Sequence, residues 1–112
     1  MAGITPADVD LFTCYDPFTI VTLMQIEDSG FCEKGAGGEF VAGDTLHFDS
    51  GKLAHNTHGG MLSHAYVLGI SHVVEVVRQL RGEGTAPVAD CEIGVYGGYT
   101  GPQCSTLVLR RG

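Results

Sequence analysis

The chain has 112 residues, which is enough for one domain of modest size. Its hydrophobic share of 44% and charged share of 17% are typical of a globular chain and exclude a disordered one. The net charge is −7 and only six residues are Lys or Arg, so a nucleic acid is excluded as a partner. The sequence shows neither a signal peptide nor an apolar run that could span a bilayer, so we expect no membrane partner and a cytoplasmic location.

The first predicted elements are a strand and a helix joined by an Asp-Pro turn. The apolar run over residues 9–15 contains β-branched and aromatic members and predicts a buried parallel strand. Asp16 and Pro17 then supply the N-cap and the first-turn proline of a helix over residues 17–28, which Gly30 ends. Such a turn lies at the carboxyl edge of a parallel sheet, where sites are usually built. Asp16 is therefore a candidate site residue as well as a simple N-cap.

Residues 31–55 are rich in glycine and charge and show no sustained periodicity, which predicts a long loop. His55 and His58 flank Asn56, but no Glu-x-x-His or His-Glu-x-x-His arrangement surrounds them, so we predict no metal site. We interpret the histidines as polar loop groups or substrate contacts. The four cysteines lack Cys-x-x-Cys spacing and are interpreted as small core residues rather than zinc ligands.

Residues 56–82 contain the longest periodic apolar segment of the chain. The spacing of three or four residues that marks one face of a helix is kept by Leu62, Tyr66, Ile70, Val73, Val77 and Leu80. Gly82 follows basic residues and is interpreted as the C-terminal stop. A glycine inside a helix costs about 1 kcal/mol relative to alanine, so we expect Gly69 to permit a close backbone approach. The simplest interpretation is a buried core helix entered through a tight turn.

The C-terminal part of the chain is predicted to form an antiparallel hairpin. Residues 83–87 are interpreted as a linker, followed by a strand over residues 88–96. Residues 97–102 contain three glycines and a proline and are interpreted as the turn. A second strand is predicted over residues 105–110.

The segment that begins at Asn56 also resembles a known signature. The thiolase family carries Asn-x-x-Gly-Gly-x-x-Ala-x-Gly-His-Pro-x-Gly-Ala-Ser-Gly near its C-terminus, and the positions kept here are Asn56, Gly59, Gly60, Gly69 and Ser71. Tyr66 stands at the place of the catalytic histidine. The run SHAYVLGISHVVEVVRQLRGE resembles the thiolase-like lipid-transfer proteins that act as aldolases in sterol side-chain degradation. The resemblance implies an α/β thiolase-like C-terminal half-domain, a mixed sheet with covering helices in the order strand, helix, loop, helix, strand, strand.

Two further positions of the thiolase pattern are changed. The run Tyr15-Asp16-Pro17-Phe18 takes the place of Asn-Glu-Ala-Phe in thiolases and is more similar to His-Asp-Cys-Phe of the sterol carrier protein-x type. Laying Gly97 and Gly98 on the family's Cys-x-Gly-Gly-Gly pattern puts Gly94 at the place of the acid/base cysteine. Because thiolytic Claisen chemistry needs that cysteine and the histidine replaced by Tyr66, the resemblance disfavours it.

A retro-aldol cleavage of a β-hydroxyacyl-CoA needs fewer groups, namely a base for the hydroxyl proton and a donor for the enolate. A tyrosine can do either, so Tyr66 and Tyr99 are the predicted catalytic pair. The residues expected to bind the substrate are Asn56, His58, Gly59, Gly60 and Asp16. One alternative is that the tyrosines only fill the pocket of a module that binds acyl-CoA or lipid and scaffolds a partner. The third interpretation is an acetyl-CoA acyltransferase.

The resemblance also implies partners. It implies an acyl-CoA substrate with a sterol-derived side chain, propionyl-CoA and a steroid ketone as products, and no further cofactor. Residues 1–112 would then form an incomplete C-terminal domain, without the first strand and helix and without the N-terminal half. The rest of the thiolase fold or a partner chain, a homodimer, and a complex with an acyl-CoA-binding protein of OB fold are expected.

Overall fold

The computed structural model describes residues 2–112, whose strands form one mixed sheet of four. The strands are β1 (Leu11–Cys14), β2 (Ala54–His55), β3 (Ile93–Tyr99) and β4 (Cys104–Arg110). They lie in the order β2-β1-β3-β4, with β1 parallel to both of its neighbours and β4 antiparallel to β3. The predicted parallel strand and the predicted C-terminal hairpin are therefore confirmed.

Four α-helices connect or cover these strands: α1 (Thr19–Asp28), α2 (Gly37–Phe40), α3 (Gly60–Ser63) and α4 (Ile70–Leu80). A 3₁₀ turn at Pro6–Asp8 precedes the sheet. The predicted α/β class with a mixed sheet and covering helices is confirmed. The stretch predicted as a plain loop also contains α2 and β2. No helix among residues 2–112 is both long enough and apolar enough to cross a membrane.

The sheet separates two apolar clusters, because successive side chains of a strand point to opposite faces. Leu11 of β1 packs with Val76 and Leu80 of α4. Its neighbour Phe12 packs on the other face with Ile26 of α1. All four residues of β1 are buried, as expected for a central parallel strand covered on both sides. The odd-numbered positions of β1 therefore face α4, and the even-numbered ones face α1.

The long helix predicted over residues 56–82 is wrong in its first half. The chain forms the single turn α3, leaves helical geometry at residues 64–69, and starts α4 only at Ile70. Leu68 breaks the helix with a φ of +57°, a value that non-glycine residues rarely adopt. Leu62, Tyr66 and Ile70 of the predicted buried face are 61%, 65% and 59% exposed.

The buried face of α4 is also different from the predicted one. It is formed by Ser71, His72, Glu75, Val76, Gln79 and Leu80. The prediction counted only apolar residues, whereas four of these six are polar and reach buried partners. Val73 and Val77 are only partly buried and lie at the margin of this face. The predicted role of Gly82 as the stop of this helix is confirmed. Helix α4 ends at Leu80, and Gly82 follows with a φ of +73°, the left-handed conformation usual just after a helix.

Smaller corrections concern the ends of elements. The N-cap position of α1 is Phe18, not Asp16, because the chain stays extended through residue 18 before it turns into the helix. Gly97 and Gly98 belong to β3, and the hairpin turn lies further on, where the Thr100 N–H donates to the Gln103 carbonyl at 2.9 Å. Of the cysteines predicted in the core, Cys14 and Cys91 are buried, Cys32 is partly buried and Cys104 is exposed.

Candidate active site

Asp16, at the carboxyl end of β1, is the most highly connected side chain of the candidate site. It is only 4% exposed. Its Oδ1 accepts a hydrogen bond from Nε2 of His72 at 2.8 Å, and both oxygens accept from the Met61 backbone N–H at 3.0 and 3.2 Å. A side chain on Gly60, which has a φ of +61°, would overlap this carboxylate. Asp16 was predicted to bind substrate, but its carboxylate faces the interior and is hydrogen-bonded to other residues of the protein.

His72 extends this contact to the start of α4. Its side chain is fully buried, and Nδ1 lies 3.5 Å from the Ser71 hydroxyl. Its ring lies 6.5 Å from the ring of Tyr15 and 5.9 Å from that of Tyr96, measured between centroids. The ring of His58 meets it edge-on at 4.8 Å. His72 is thus enclosed by aromatic rings and anchored at one nitrogen by Asp16.

Tyr15 and Tyr66 lie close together, next to the pair formed by Asp16 and His72. The neighbouring Tyr66 raises the pKa of the Tyr15 hydroxyl, and burial and the nearby Tyr96 add to the increase. Tyr15 is fixed through its backbone, since Gln25 of α1 donates to its carbonyl at 2.7 Å and its own N–H donates to the Gly97 carbonyl at 2.9 Å. We call Tyr15, Tyr66 and Tyr96 the tyrosine cluster.

Tyr96 of β3 brings the third hydroxyl into the tyrosine cluster. A Cβ on Gly69 would overlap the Tyr96 hydroxyl, so that hydroxyl lies directly against the backbone of the loop that carries Tyr66. The expectation that Gly69 permits a close approach is confirmed. Burial raises the pKa of Tyr96, so it remains protonated at neutral pH.

Tyr99, the second member of the predicted catalytic pair, lies elsewhere. Side chains alternate along β3, so Tyr96 faces α4 and Tyr99 faces α1 together with Gly97. Tyr99 lines a groove of about 550 Å³ with Gln25 and Phe31 on that other face. The structure does not bring Tyr99 to Tyr66, and the partner that it places beside Tyr66 is Tyr15.

The predicted substrate-binding groups at residues 56–60 are mostly occupied by structural contacts. The side-chain amide of Asn56 accepts from the Cys14 N–H at 3.0 Å and donates to the Cys14 carbonyl at 3.2 Å, which extends the ladder beyond β2. The N–H of Gly59 donates to the Asn56 carbonyl at 2.7 Å. The amide of Asn56 and the N–H of Gly59 therefore hold the turn, and Gly60 makes room for Asp16.

His58 lies next to His72 with both ring nitrogens buried and without a hydrogen-bond partner in the described chain. Burial lowers its pKa, and the neighbouring His72 lowers it further. His55 is also held neutral, because burial lowers its pKa to about 4 while its Nδ1 lies 2.9 Å from the Phe12 carbonyl. Within residues 2–112 no group of three His, Cys, Asp or Glu side chains could hold a metal ion.

The sequence interpretation missed Tyr15, His72 and Tyr96 as site residues. Tyr15 carried a signal, since it stands where thiolases hold the water-binding asparagine. His72 was absent from the apolar face predicted for the helix. Tyr96 could have been found only from the register of β3, in which Tyr96 pairs with Leu107 of β4 and Thr13 of β1.

The comparison with protein families decides the relationship. The family described as thiolase C-terminal domain-like matches residues 1–111. The chain belongs to this family. The predicted resemblance to the thiolase C-terminal domain is therefore confirmed, and the tyrosine cluster lies in a thiolase-like domain.

Relatives of this thiolase-like domain include steroid-cleaving enzymes. The 17-hydroxy-3-oxo-4-pregnene-20-carboxyl-CoA lyase of Mycobacterium tuberculosis is 44% identical over 108 residues, which are 96% of this chain and 28% of that protein. The steroid side-chain-cleaving aldolase of Thermomonospora curvata is 36% identical over 108 residues, 96% of this chain and 27% of the aldolase. The sterol side-chain aldolase branch predicted from the sequence is thus confirmed.

A solved structure gives the same relationship. The Ltp2-ChsH2(DUF35) aldolase superposes with a TM-score of 0.91 and 35% identity, over 97% of this chain and 28% of that one. The chain therefore spans little more than a quarter of the length of these relatives. The thiolase-like fold is shared throughout the matched part.

Proposed function

We propose that this domain supplies tyrosine hydroxyls for the retro-aldol cleavage of a β-hydroxyacyl-CoA, as part of a larger carbon–carbon lyase. The observation that carries the proposal is that Tyr15 and Tyr66, at the two positions where thiolases hold an asparagine and a histidine, lie close enough together for Tyr66 to raise the pKa of Tyr15. The Mycobacterium tuberculosis relative supports the substrate class, because its name contains both a hydroxyl and a carboxyl-CoA group. The steroid ketone and propionyl-CoA implied by the resemblance remain the proposed products.

The two hydroxyls would have different roles in this reaction. The raised pKa of Tyr15 keeps its hydroxyl protonated, so Tyr15 is suited to donate to the oxygen of the developing enolate. Tyr66, whose side chain is 65% exposed, then receives the proton of the β-hydroxyl while it passes its own proton to Tyr15, and Tyr15 passes its proton to the enolate oxygen. As the O–H bond of the β-hydroxyl breaks, the bond between the α and β carbons breaks and its electrons form the enolate. The β carbon leaves as a ketone.

Thiolase chemistry finds little support among the described residues. Burial raises the pKa of Cys14 to about 12, so the thiol is not a nucleophile at neutral pH. A side chain at Gly94, the position laid on the thiolase acid/base cysteine, would overlap Val76 in the core below α4. A cysteine at position 94 would therefore be packed against Val76 of α4.

Substrate and partners follow from the same proposal. The acyl-CoA is a substrate, and the reaction needs no further cofactor because proton transfer and bond cleavage are internal to the thioester. The exposed apolar side chains around Tyr66 are suited to packing against the rest of a thiolase fold. The structural relative is a complex by name, which supports a partner chain. A homodimer, an acyl-CoA-binding partner of OB fold and a cytoplasmic location remain proposals.

The test is Tyr66→Phe in the complete enzyme, assembled with the chains that purify with it. Cleavage of a β-hydroxy steroid acyl-CoA would be followed through the ketone and propionyl-CoA. We expect kcat to fall by about 10² or more, the usual contribution of a general acid or base. Tyr99→Phe is the matched control, because its hydroxyl lies on the other face of the sheet, and it should leave kcat nearly unchanged.

The outcomes separate catalysis from scaffolding. Normal turnover in both variants would show that Tyr66 has no part in the mechanism. It would favour the alternative that Tyr66 only fills the pocket of a thiolase-like module. A loss in Tyr99→Phe but not in Tyr66→Phe would restore the residue predicted from the sequence and reject the face assigned here. Absence of cleavage in the wild-type enzyme would favour a module that binds acyl-CoA or lipid and holds a partner.

A further inference from the structure

We infer that the buried Asp16–His72 pair is a positioning device that holds Tyr15 beside the loop that carries Tyr66. The inference rests on the proposed function for its catalytic consequence. It assigns Asp16 a role different from substrate binding, and it gives His72 a role that the sequence did not indicate.

The first argument is connectivity. Asp16 directly follows Tyr15 in the chain, so its position constrains the Tyr15 backbone. Its carboxylate accepts from the Met61 N–H at the start of α3 and from His72 in the first turn of α4. The loop of residues 64–69, which carries Tyr66, is anchored at both ends by these two helices. One carboxylate therefore fixes the chain segment of Tyr15 relative to both ends of the segment of Tyr66.

The second argument is the energetic cost of breaking the pair. Asp16 is 4% exposed and His72 is fully buried, so water cannot replace the missing partner. Leaving a buried polar group unsatisfied costs far more than losing an exposed hydrogen bond. The pair therefore has one favourable arrangement, whereas the exposed pair of His47 and Asp49 can separate into solvent.

The third argument is how His72 packs. Its ring contacts the rings of Tyr15 and Tyr96, at 6.5 and 5.9 Å between centroids, and its Nε2 is already bonded to Asp16. No hydrogen bond joins His72 to a tyrosine hydroxyl in the described chain. His72 therefore acts on the tyrosine cluster by fixing where the rings lie, and it is a positioning residue rather than a catalytic one.

The experiment uses His72→Phe, which keeps an aromatic ring but removes the donor to Asp16, in the complete enzyme. We expect kcat to fall by about 10²-fold, since displacement of a reacting group by about 1 Å costs that much, while KM for the thioester stays close to that of the wild type. His72→Gln retains an N–H donor and should recover most of the lost kcat. Asp49→Asn, in the exposed pair, is the matched control and should change neither constant.

A second readout does not depend on activity. The protein is labelled with 3-fluorotyrosine, and the ¹⁹F resonances of Tyr15 and Tyr66 are assigned by replacing each with Phe. Both resonances should move toward the solvent-exposed position in His72→Phe and in Asp16→Asn, and return toward the wild-type position in His72→Gln. Circular dichroism and thermal unfolding show whether each variant is folded. If His72→Phe does not fold, Asp16→Asn takes its place in the experiment.

The outcomes are distinct. Unchanged ¹⁹F resonances with normal kcat in folded His72→Phe and Asp16→Asn would overturn the inference and leave the proposed function standing. Lower thermal stability with unchanged kcat and resonances would also overturn it, because the pair would then only support the fold. If the wild-type enzyme cleaves no thioester, the proposed function fails, and the ¹⁹F shifts alone decide whether Asp16 and His72 position the tyrosines.

Discussion

Gly69 determines how closely the loop of Tyr66 can approach the sheet. Its φ of −79° is open to any residue, so conformational freedom is not the reason for a glycine here. The reason is space, because the Tyr96 hydroxyl occupies the place where a Cβ would lie. A single methyl group at this position would therefore push apart two members of the tyrosine cluster.

We expect Gly69→Ala to destabilise the complete protein by about 1–3 kcal/mol, the usual cost of overpacking. Urea unfolding measures the change in the free energy of unfolding. Tyr96→Phe in the same chain should restore part of the loss, because it removes the hydroxyl that the methyl group meets. Gly38→Ala is the control, since nothing lies within 4 Å of its added Cβ. Equal stability of Gly69→Ala and the wild type would contradict the close contact.

For single residues, the sequence indicates which type of side chain takes part better than it indicates which face of the sheet that side chain lies on. It identified Tyr66 from its place in the thiolase signature, and the close approach at Gly69 from the cost of a glycine inside a predicted helix. It chose Tyr99 over Tyr96 because residues 97–102 looked like a turn, and a turn would have let Tyr99 project freely. In a strand, positions 96 and 99 lie on opposite faces, so the choice depended on a boundary that composition alone does not fix.

Helix α4 is held in place by polar contacts as much as by apolar ones. Glu75 is 4% exposed, and its Oε1 accepts from Thr57 at 2.6 Å and from Gln79 at 2.8 Å. Gln79 also donates to the Ala86 carbonyl at 2.8 Å and accepts from the Val88 N–H at 3.0 Å. This network connects the turn before α3, the helix and the segment that leads into β3.

Gln79→Leu should cost about 1–3 kcal/mol, because it leaves the Val88 N–H and the Ala86 carbonyl without their partner and removes one of the two donors to the buried Glu75 carboxylate. Urea unfolding and hydrogen exchange at Val88 would measure the loss globally and locally. Val74→Ala lies on the same helix at a position that is 50% exposed, and should cost much less. If the two variants were equally stable, the network would contribute nothing beyond helix packing.

The same network explains why the predicted face of this helix was wrong. An apolar period assumes that polar residues face water. Here Glu75, Gln79 and His72 face the interior because Thr57, the chain at residues 86–88 and Asp16 supply partners. Those partners are distant in sequence, so no local pattern could reveal that this polar face is the buried one.

Many large apolar side chains of the molecule are exposed to solvent. One group lies around α3 and the start of α4, where Leu62, Tyr66, Val67, Leu68, Ile70 and Val74 are 49–65% exposed. Another lies on α1, where Phe18, Ile20 and Met24 are at least half exposed. Apolar surface of this kind in a folded chain marks a surface that packs against other protein. It is consistent with the chain covering about 28% of its relatives.

The 112-residue chain alone should therefore self-associate and bind a hydrophobic dye. Analytical ultracentrifugation and dye fluorescence would measure this. Replacing Leu62 and Ile70 together by Ser should reduce both signals, since each side chain is about 60% exposed in the larger group. Leu107→Ser, at a 41% exposed position on β4, is the control and should have little effect. A monomer that binds no dye would show that this surface needs no cover.

The overall fold was the easiest level to predict. The family signature implied a mixed sheet, and the strand and hairpin patterns placed β1 and β4 within two residues at either end and β3 within five. The fourth, β2, has only two residues and is continued by the Asn56 side chain pairing with Cys14. Such a strand has no pattern of its own, because its position comes entirely from its neighbour.

The overlap between a side chain at position 60 and the Asp16 carboxylate restricts the order in which the two positions can change in evolution. A chain that acquires a side chain at position 60 first must lose the hydrogen bonds of Asp16 in the same step. A chain that first replaces Asp16 by a smaller residue empties the space, and a side chain at position 60 then meets mainly the cost of a φ of +61°, which favours glycine. Lineages that abandon this site should therefore lose the acid before they lose the glycine.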